Sequence, residues 1–432
     1  MKALILDSTP AGDTAGERLL SALRGELQSR GWEAEHVLLR EKKVGNCAGD
    51  FFCFIRTPGV CNIDDDNRRI ARAVLACDAL VYLTPVRFGG YSSLLKCTVD
   101  HLTQNLLPFF TRVDGEIFHE LRYAHSPKLF VLGWLEAPDP QAEAIFHHLA
   151  QRNAINMRFA SVVSGVVHAC QPDGELAIKM KTWVGSLASG LSSQPQNLPQ
   201  IKNSISEGIP FRRALLLVGS PRGKKSSSYA LGSYLLVQLE AQGVQTETIY
   251  LYPALGSRER TQSLLEAVDA HDLIVLAFPL YVDNLPGPVI RSLELIAARC
   301  DGKPVRQAFA AIVNSGFPEA SHNQTALAIC AKFAGQAGFA WAGGLALGAG
   351  EAIVGGKPLE ELSWRGRTIR ASLDLAAQSL AIGNSIPAEA VALMAKERLP
   401  KRLFFILGNF GWKQRARKYG VQKSLRRQPY LT

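Results

Sequence analysis

Apolar and polar positions along this chain fall into two recurring patterns. A short apolar run, Ala3 to Leu6, ends in a polar turn at Asp7 and Ser8 and is followed by helical periodicity over 14–30. Near the middle of the chain the order returns, with an apolar run over 214–218, a turn at Gly219 and Ser220, and a helical pattern over about 226–242. Runs of that length bounded by turn residues predict strands, and recurrence at three- and four-residue spacing predicts helices. A second matched pair follows, because 78–85 (DALVYLTP) corresponds to 272–279 (DLIVLAFP), and each leads into a further helix. Strands are also predicted at 128–134, 157–167, 307–314 and 340–347. Strands alternating with helices imply right-handed crossovers and a parallel sheet covered on both faces. The expected fold class is α/β, built from two doubly wound units.

Between the repeats, 191–210 is rich in Ser, Gln, Asn and Pro and lacks periodicity, which marks a linker. The expected organisation is a first unit over 1–190, the linker over 191–210, a second unit over 211–385 and a basic tail over 386–432. The halves differ in one respect. Ser8 to Pro85 spans 77 positions and Ser220 to Pro279 spans 59, so the first half carries 18 more residues before its Pro turn. That surplus is about the length of 45–61, where three cysteines cluster.

Composition narrows the class. The 432 residues are 47% hydrophobic and 20% charged, which suits a folded chain of two or three domains and excludes disordered, collagen-like and disulfide-scaffold classes. No apolar run approaches the ~20 residues of a spanning helix. Asp7 interrupts the start where an export signal would have its apolar stretch. Eight cysteines in so long a chain fit a reducing compartment, so the expected location is cytoplasmic. The charge is localised. Residues 396–432 hold eleven Lys or Arg and one acid, which accounts for the whole net charge of +10 and leaves the body neutral. A body without a basic stripe argues against nucleic-acid binding.

In an open parallel sheet, ligands bind beyond the carboxyl ends of the strands. The second half offers three loops there. The first, 219–228 (GSPRGKKSSS), brings Ser220, Arg222, Ser226, Ser227 and Ser228 to the start of a helix, where hydroxyls, cations and free N–H groups suit a phosphate monoester. Its glycine and lysine spacing is not that of a Walker loop. The second loop presents Pro279, Leu280, Tyr281, Val282, Asp283 and Asn284, a ring, an amide and backbone groups suited to a flat heterocycle. The third repeats that chemistry with Asn314, Ser315, Gly316 and Glu319. In the first half, 7–14 (DSTPAGDT) is a shortened counterpart that has Ser8 and Thr14 but no Arg or Lys, and 84–91 (TPVRFGGY) supplies Pro85, Val86 and Phe88.

The segments GSPRGKKSSS, FPLYVDNLPGPVIRSLE and VNSGFPE resemble the flavodoxin-like NAD(P)H-dependent FMN reductase family, and the likeness extends over both halves. The resemblance implies a five-stranded parallel sheet in the order 2-1-3-4-5 in each unit. It places Ser220, Arg222, Ser226, Ser227 and Ser228 on an FMN phosphate, and 279–284 and 314–319 along the isoalloxazine. By position it implies a second or degenerate flavin site at Ser8, Thr14, Pro85, Val86 and Phe88, where Asp13 stands in place of the family's usual Asn. A carboxylate there repels a phosphate dianion. The resemblance further implies NAD(P)H as cosubstrate, a small-molecule or protein electron acceptor, and a homodimer.

Cys47, Asp50, Cys53 and, after seven intervening residues, Cys61 resemble the cysteine-rich segment of iron–sulfur flavoproteins, with Asp50 at the place of one thiolate. Three readings stay open for them. They are a cluster held by Cys47, Asp50, Cys53 and Cys61, a set of structural or redox thiols, and a zinc site. His147, His148 and His322 read as cap or surface positions. No catalytic side chain is expected, because a bound flavin carries the chemistry. In the tail, Phe404, Phe405, Phe410 and Trp412 lie among basic residues. They are expected to dock on the second unit or a partner subunit, with peripheral contact to an anionic membrane as the alternative. The functional expectation is an oxidoreductase passing electrons from NAD(P)H through FMN to an acceptor. The rivals are an iron–sulfur flavoprotein electron carrier and a non-catalytic binding protein with a membrane- or partner-binding tail.

Overall fold

Strands buried on both faces need continuous apolar runs, and the central strands here have them. In the computed structural model, which describes residues 1–205, 208–302 and 306–431, the chain divides into two units. The first comprises Met1–Leu198 and Phe405–Thr432, the second Pro199–Phe404.

The strands of the first unit are β1 (Lys2–Asp7), β2 (Glu33–Leu38), β3 (Ala79–Pro85), β4 (Leu106–Val113), β5 (Glu116–Leu121), β6 (Lys128–Leu135) and β7 (Val162–His168). Five of them form a parallel sheet in the order β2-β1-β3-β6-β7, while β4 and β5 pair as an antiparallel hairpin. The second unit has β8 (Arg213–Val218), β9 (Gln245–Tyr250), β10 (Leu273–Pro279), β11 (Ala308–Asn314) and β12 (Ala340–Leu347), parallel in the order β9-β8-β10-β11-β12. Both orders are the expected 2-1-3-4-5. The edge strands β2 and β9 alternate exposed and half-buried residues at their starts, as one covered face requires, whereas β3 and β11 are buried throughout.

Small residues set how closely helices approach these sheets. At Gly232, in the helix Ser227–Glu240, a Cβ would come within 2.5 Å of a Leu216 methyl, so only glycine lets this helix lie so low on β8. The helix opens at the phosphate-type loop, and its height on the sheet therefore places that loop.

Three features depart from the sequence expectations. The strand predicted from 157 starts at Val162, because the helix Pro140–Met157 runs on and ends only at Arg158, which takes a left-handed φ of 60°. The β4–β5 hairpin had no alternating signal strong enough to predict it. The region 386–432 is not a separate tail. Helix Ala388–Ala395 buries Ala390 and Met394 and packs on helix Arg367–Ala381 of the second unit, with the Ser372 hydroxyl donating to the Ala390 carbonyl at 2.6 Å. Residues 405–431 pack instead on the first unit. Trp412 sits 5.3 Å from the Phe51 ring and 5.6 Å from Phe54, and the buried Arg122 guanidinium donates to the Leu425 and Arg427 carbonyls at 2.9 and 2.7 Å. Docking thus follows from aromatic contacts and one buried cation, on the unit opposite to the one expected.

Glycine packing yields a paired test. Gly232→Ala should cost roughly 1–3 kcal/mol through overpacking. Gly335→Ala, in a helix where a Cβ meets nothing within 4 Å, should stabilise by about 0.5–1 kcal/mol. Urea denaturation of the two variants checks both signs.

Candidate functional site

In the second unit β8 ends at Val218 and the chain turns through Gly219–Lys225 into helix Ser227–Glu240. Ser226 caps that helix, its hydroxyl oxygen accepting from the Tyr229 N–H at 3.1 Å while donating to the Gly223 carbonyl at 2.6 Å. The Ser227 and Ser228 N–H groups open the helix and have no carbonyl a turn earlier to bond, which makes them natural anion donors. The Ser228 hydroxyl accepts from the Asn314 amide at 2.9 Å, so the ends of β8 and β11 are tied together. Ser220, Ser226, Ser227, Ser228 and Asn314 are all buried.

The loop after β10 is a tight reversal. Tyr281 and Asn284 exchange backbone hydrogen bonds of 3.0 and 3.1 Å around Val282 (φ 43°) and Asp283 (φ 57°). A β-branched residue at positive φ is strained, by about 1–3 kcal/mol. In the first unit the matching turn holds Phe88 and Gly89, so glycine relieves half of that strain. Asn284 is fully buried, its Oδ1 accepts from the Leu285 N–H at 2.7 Å, and its Nδ2 has no acceptor among the described residues. A buried donor left unmatched costs about 1–3 kcal/mol, and such an atom points to an acceptor supplied from outside the chain.

The third loop, 314–319, is fixed by residues the sequence reading did not single out. Asn323, fully buried, donates to the Ser315 hydroxyl and to the Ala320 and Leu347 carbonyls, each at 3.3 Å. Glu319 is buried between His322 at 3.4 Å and Lys401 at 3.0 Å. Burial alone would raise its carboxyl, but hydrogen bonds from His322 and Lys401 outweigh burial and hold it below its ordinary 4.5. His322, expected as a cap or surface residue, is buried with its ring 4.8 Å from Phe317. Pro279, Leu280, Tyr281 and Val282 of the second loop are half-buried, and Gly316 has nothing within 4 Å of a would-be Cβ.

A segment from beyond β12 closes over the phosphate-type loop at three points. The Ser227 hydroxyl donates to the Gly350 carbonyl at 3.3 Å, the Arg222 guanidinium meets Glu351 at 2.7 Å, and Gly356 lies so near the Lys225 carbonyl that a Cβ would fall 2.1 Å from it. A cleft of about 490 Å³ is lined by this clasp, Lys357 and 361–365, not by the two ring-type loops.

The first unit solves the same edge differently. Asp13 caps helix Thr14–Ser29, with one carboxylate oxygen accepting from the Gly16 N–H at 3.0 Å and the other from the Trp134 indole N–H at 3.2 Å. Trp134, at the end of β6, is buried, and a Cβ at Gly16 would meet its ring at 2.8 Å. The Ser8 hydroxyl is committed to the Leu83 carbonyl at 3.1 Å, while Thr14 is exposed. Pro85, Val86 and Phe88 are buried, the last two in the apolar core.

Cys47, Cys53 and Cys61 lie in one neighbourhood, near enough that each thiol's charge would oppose the others' ionisation. Burial pushes the Cys47 thiol up to about 12, and pushes Cys53 and Cys61 up as well. Asp50 accepts from the Phe52 N–H at 2.9 Å, and the Cys61 sulfur lies 3.4 Å from His101 Nδ1. All eight cysteines are free, and among the described residues no three His, Cys, Asp or Glu side chains are grouped to hold a metal ion. In this structure Cys47, Asp50, Cys53 and Cys61 are not grouped as cluster or zinc ligands.

Two doubly wound sheets, each with a helix-capping loop after its first strand and tight loops after the next, define a flavodoxin-like protein. The chain belongs to the NADPH-dependent FMN reductase family, whose model matches residues 1–119 and 212–334. It is similar to an iron–sulfur flavoprotein of Archaeoglobus fulgidus, 28% identical over 102 residues, which are 24% of this chain and 46% of that one. A second such protein, from Methanocaldococcus jannaschii, is 28% identical over 100 residues, 23% of this chain and 51% of the relative. The chain thus spans about half the length of the curated relatives it matches. Among solved structures it resembles an NAD(P)H:quinone oxidoreductase from Methanothermobacter marburgensis, with a TM-score of 0.33 and 16% identity over 43% of this chain and 94% of that one. An FMN-dependent NADH-azoreductase from Bacillus anthracis, crystallised with FMN, gives a TM-score of 0.29 and 13% identity over 38% and 100%.

FMN is the group this family implies. The second unit fits it, with an open helix N-terminus beside hydroxyls and an unmatched amide at Asn284. The first unit fits it less well, because the residue capping the matching helix is Asp13, whose carboxylate has the phosphate's own sign and is held by the Trp134 indole.

The Glu319 cluster sets a pH dependence. A carboxyl held below its unfolded value stabilises the fold above that value and loses its contribution as pH falls through the folded value. Wild type should therefore outlast Glu319→Gln above pH 4.5, with the advantage shrinking at lower pH. Parallel urea titrations from about pH 6 to about pH 3 measure this, and an advantage that does not change with pH counts against it.

Proposed function

We propose that this protein is an NAD(P)H-dependent flavin oxidoreductase that holds one FMN per chain, in its second unit, and passes electrons to a small-molecule or protein acceptor. The observation that carries this reading is the contrast between the two helix N-termini. One is occupied by the chain's own carboxylate, and the other is ringed by hydroxyls with no acid on the helix start. Bound FMN would supply hydride acceptance from the nicotinamide and its onward transfer.

The residues of the second unit have separate tasks in this reading. The Ser227 and Ser228 N–H groups and the neighbouring hydroxyls receive the phosphate, and Arg222 balances its charge. The strained turn at Val282 and Asp283 aims backbone groups along the ring, and Asn284 Nδ2 offers the ring edge its missing donor. Asn314 and Asn323 hold the loops at a fixed separation. Fixed donors of this kind act without reorganising when charge develops on the ring. Glu351 opposes binding, since its carboxylate occupies the Arg222 guanidinium that the phosphate needs.

Three measurements follow. Reconstituted protein should contain one FMN per chain by absorbance, and a count of two or none sinks the assignment. Arg222→Ala combined with Ser228→Ala should weaken FMN by roughly tenfold or more in a fluorescence titration, with a smaller effect on riboflavin, which lacks the phosphate. Glu351→Gln should tighten FMN by about three- to tenfold, because it frees Arg222 and removes a charge of the same sign as the ligand.

A further inference from the structure

The helix Lys401–Arg417 is apolar on two opposite sides. One side is used. Phe404 and Ala416 are buried, Gly408 lies against the Phe110 ring, Asn409 Oδ1 accepts from the Phe110 N–H at 2.9 Å, and Trp412 packs on Phe51 and Phe54. The other side carries Leu403, Ile406, Leu407 and Phe410, which are 43%, 65%, 51% and 58% exposed. Their spacing of three and four puts them in one stripe. A helix already anchored by its inner face has no need of four large exposed apolar side chains on its outer one.

The charged side chains of this helix and of the segment after it are all basic. Arg402, Lys413, Arg415, Arg417, Lys418, Lys423, Arg426 and Arg427 are exposed, and the chain from 398 to the end contains no acid. By helical angle Arg402, Lys413 and Arg417 flank the stripe directly. Arg426 pairs with Glu120 at 2.8 Å, and Arg402, Lys413, Arg417, Lys418, Lys423 and Arg427 add positive charge along this stretch. Lys413 and Arg415 lie over the Phe109 and Trp412 rings at 6.0 and 5.3 Å.

We propose that this outer face binds an anionic lipid surface, with the helix lying in the plane of the membrane interface. An apolar stripe bordered by Lys and Arg is the pattern that enters the boundary between headgroups and acyl chains while its cations reach anionic headgroups. No helix among the described residues is long and apolar enough to cross a membrane, so the contact is peripheral. Nucleic acid matches the charge but offers nothing to Leu403, Ile406, Leu407 and Phe410. A second copy of the chain matches the stripe but brings an equal positive field against it. This inference does not rest on the flavin reading.

The test uses the full chain and vesicles of phosphatidylcholine, alone or with about one third phosphatidylserine. Co-sedimentation should show at least about tenfold stronger partition onto the anionic vesicles, and most of it should be lost in high salt. Ile406→Ser with Leu407→Ser and Phe410→Ser should lower partition roughly tenfold or more, as should Lys413→Gln with Arg417→Gln and Lys418→Gln. All six positions are exposed, and circular dichroism with the melting temperature verifies folding. Phe410→Ser alone serves if the triple variant is unstable. Equal uptake by both vesicle types, no uptake, or uptake unaffected by either variant overturns the proposal. So does a dimer that the apolar variant dissolves without any vesicle binding, which would assign the face to a second copy.

Discussion

A helix that starts at the carboxyl edge of a parallel sheet exposes backbone N–H groups with no partner inside the helix, and the fold repeats that situation in both units. Everything specific to this chain follows from how each unit answers it. The first uses Asp13, which accepts from Gly16 and from Trp134, so that donor, charge and volume are all satisfied by the protein. The second leaves hydroxyls and N–H groups around the helix start and brings in Glu351 from the far end of the unit, where it meets Arg222 but leaves the helix N-terminus itself open. One architecture is thus kept twice, with a carboxylate at the helix start of one copy and hydroxyls at that of the other.

Much of this was legible in the chain. The paired apolar runs and Pro-ended segments gave the central strands of both sheets, because a strand buried on both faces has to be uninterrupted, and the family resemblance implied their order. The three loops of the second unit were readable for the same reason, since each lies directly after such a run. What escaped was contact across long separations. Nothing near Arg222 signals Glu351, 129 positions away, and nothing near Glu319 signals Lys401. Trp134 read as the last residue of a strand, although its indole decides the character of the first unit's edge. The strand start near 157 was misplaced because Met157 and Phe159 look alike in pattern while Arg158 alone turns the chain.

The C-terminal region illustrates a different limit. Its aromatic residues were expected to act together, yet they divide by helical angle. Trp412 closes on Phe51 and Phe54 beside the cysteine loop, whereas Phe410 faces outward. The cysteine loop is consequently enclosed by aromatic rings, with Tyr419 also 5.6 Å from Phe52, and its thiols stay protonated because burial opposes their ionisation. A one-dimensional pattern shows that such residues are apolar without showing which of two faces each will occupy.

Arg122 has a consequence for the order in which the protein is made. Its guanidinium is buried and relies on carbonyls at Leu425 and Arg427, about three hundred residues further along the chain, while Gln428 returns a hydrogen bond to the Arg122 carbonyl. During translation the first sheet leaves the ribosome long before those partners exist. Before they do, the guanidinium has only the Gln104 and Leu106 carbonyls as acceptors, so the first unit gains its full set of contacts only when the end of the chain has been made.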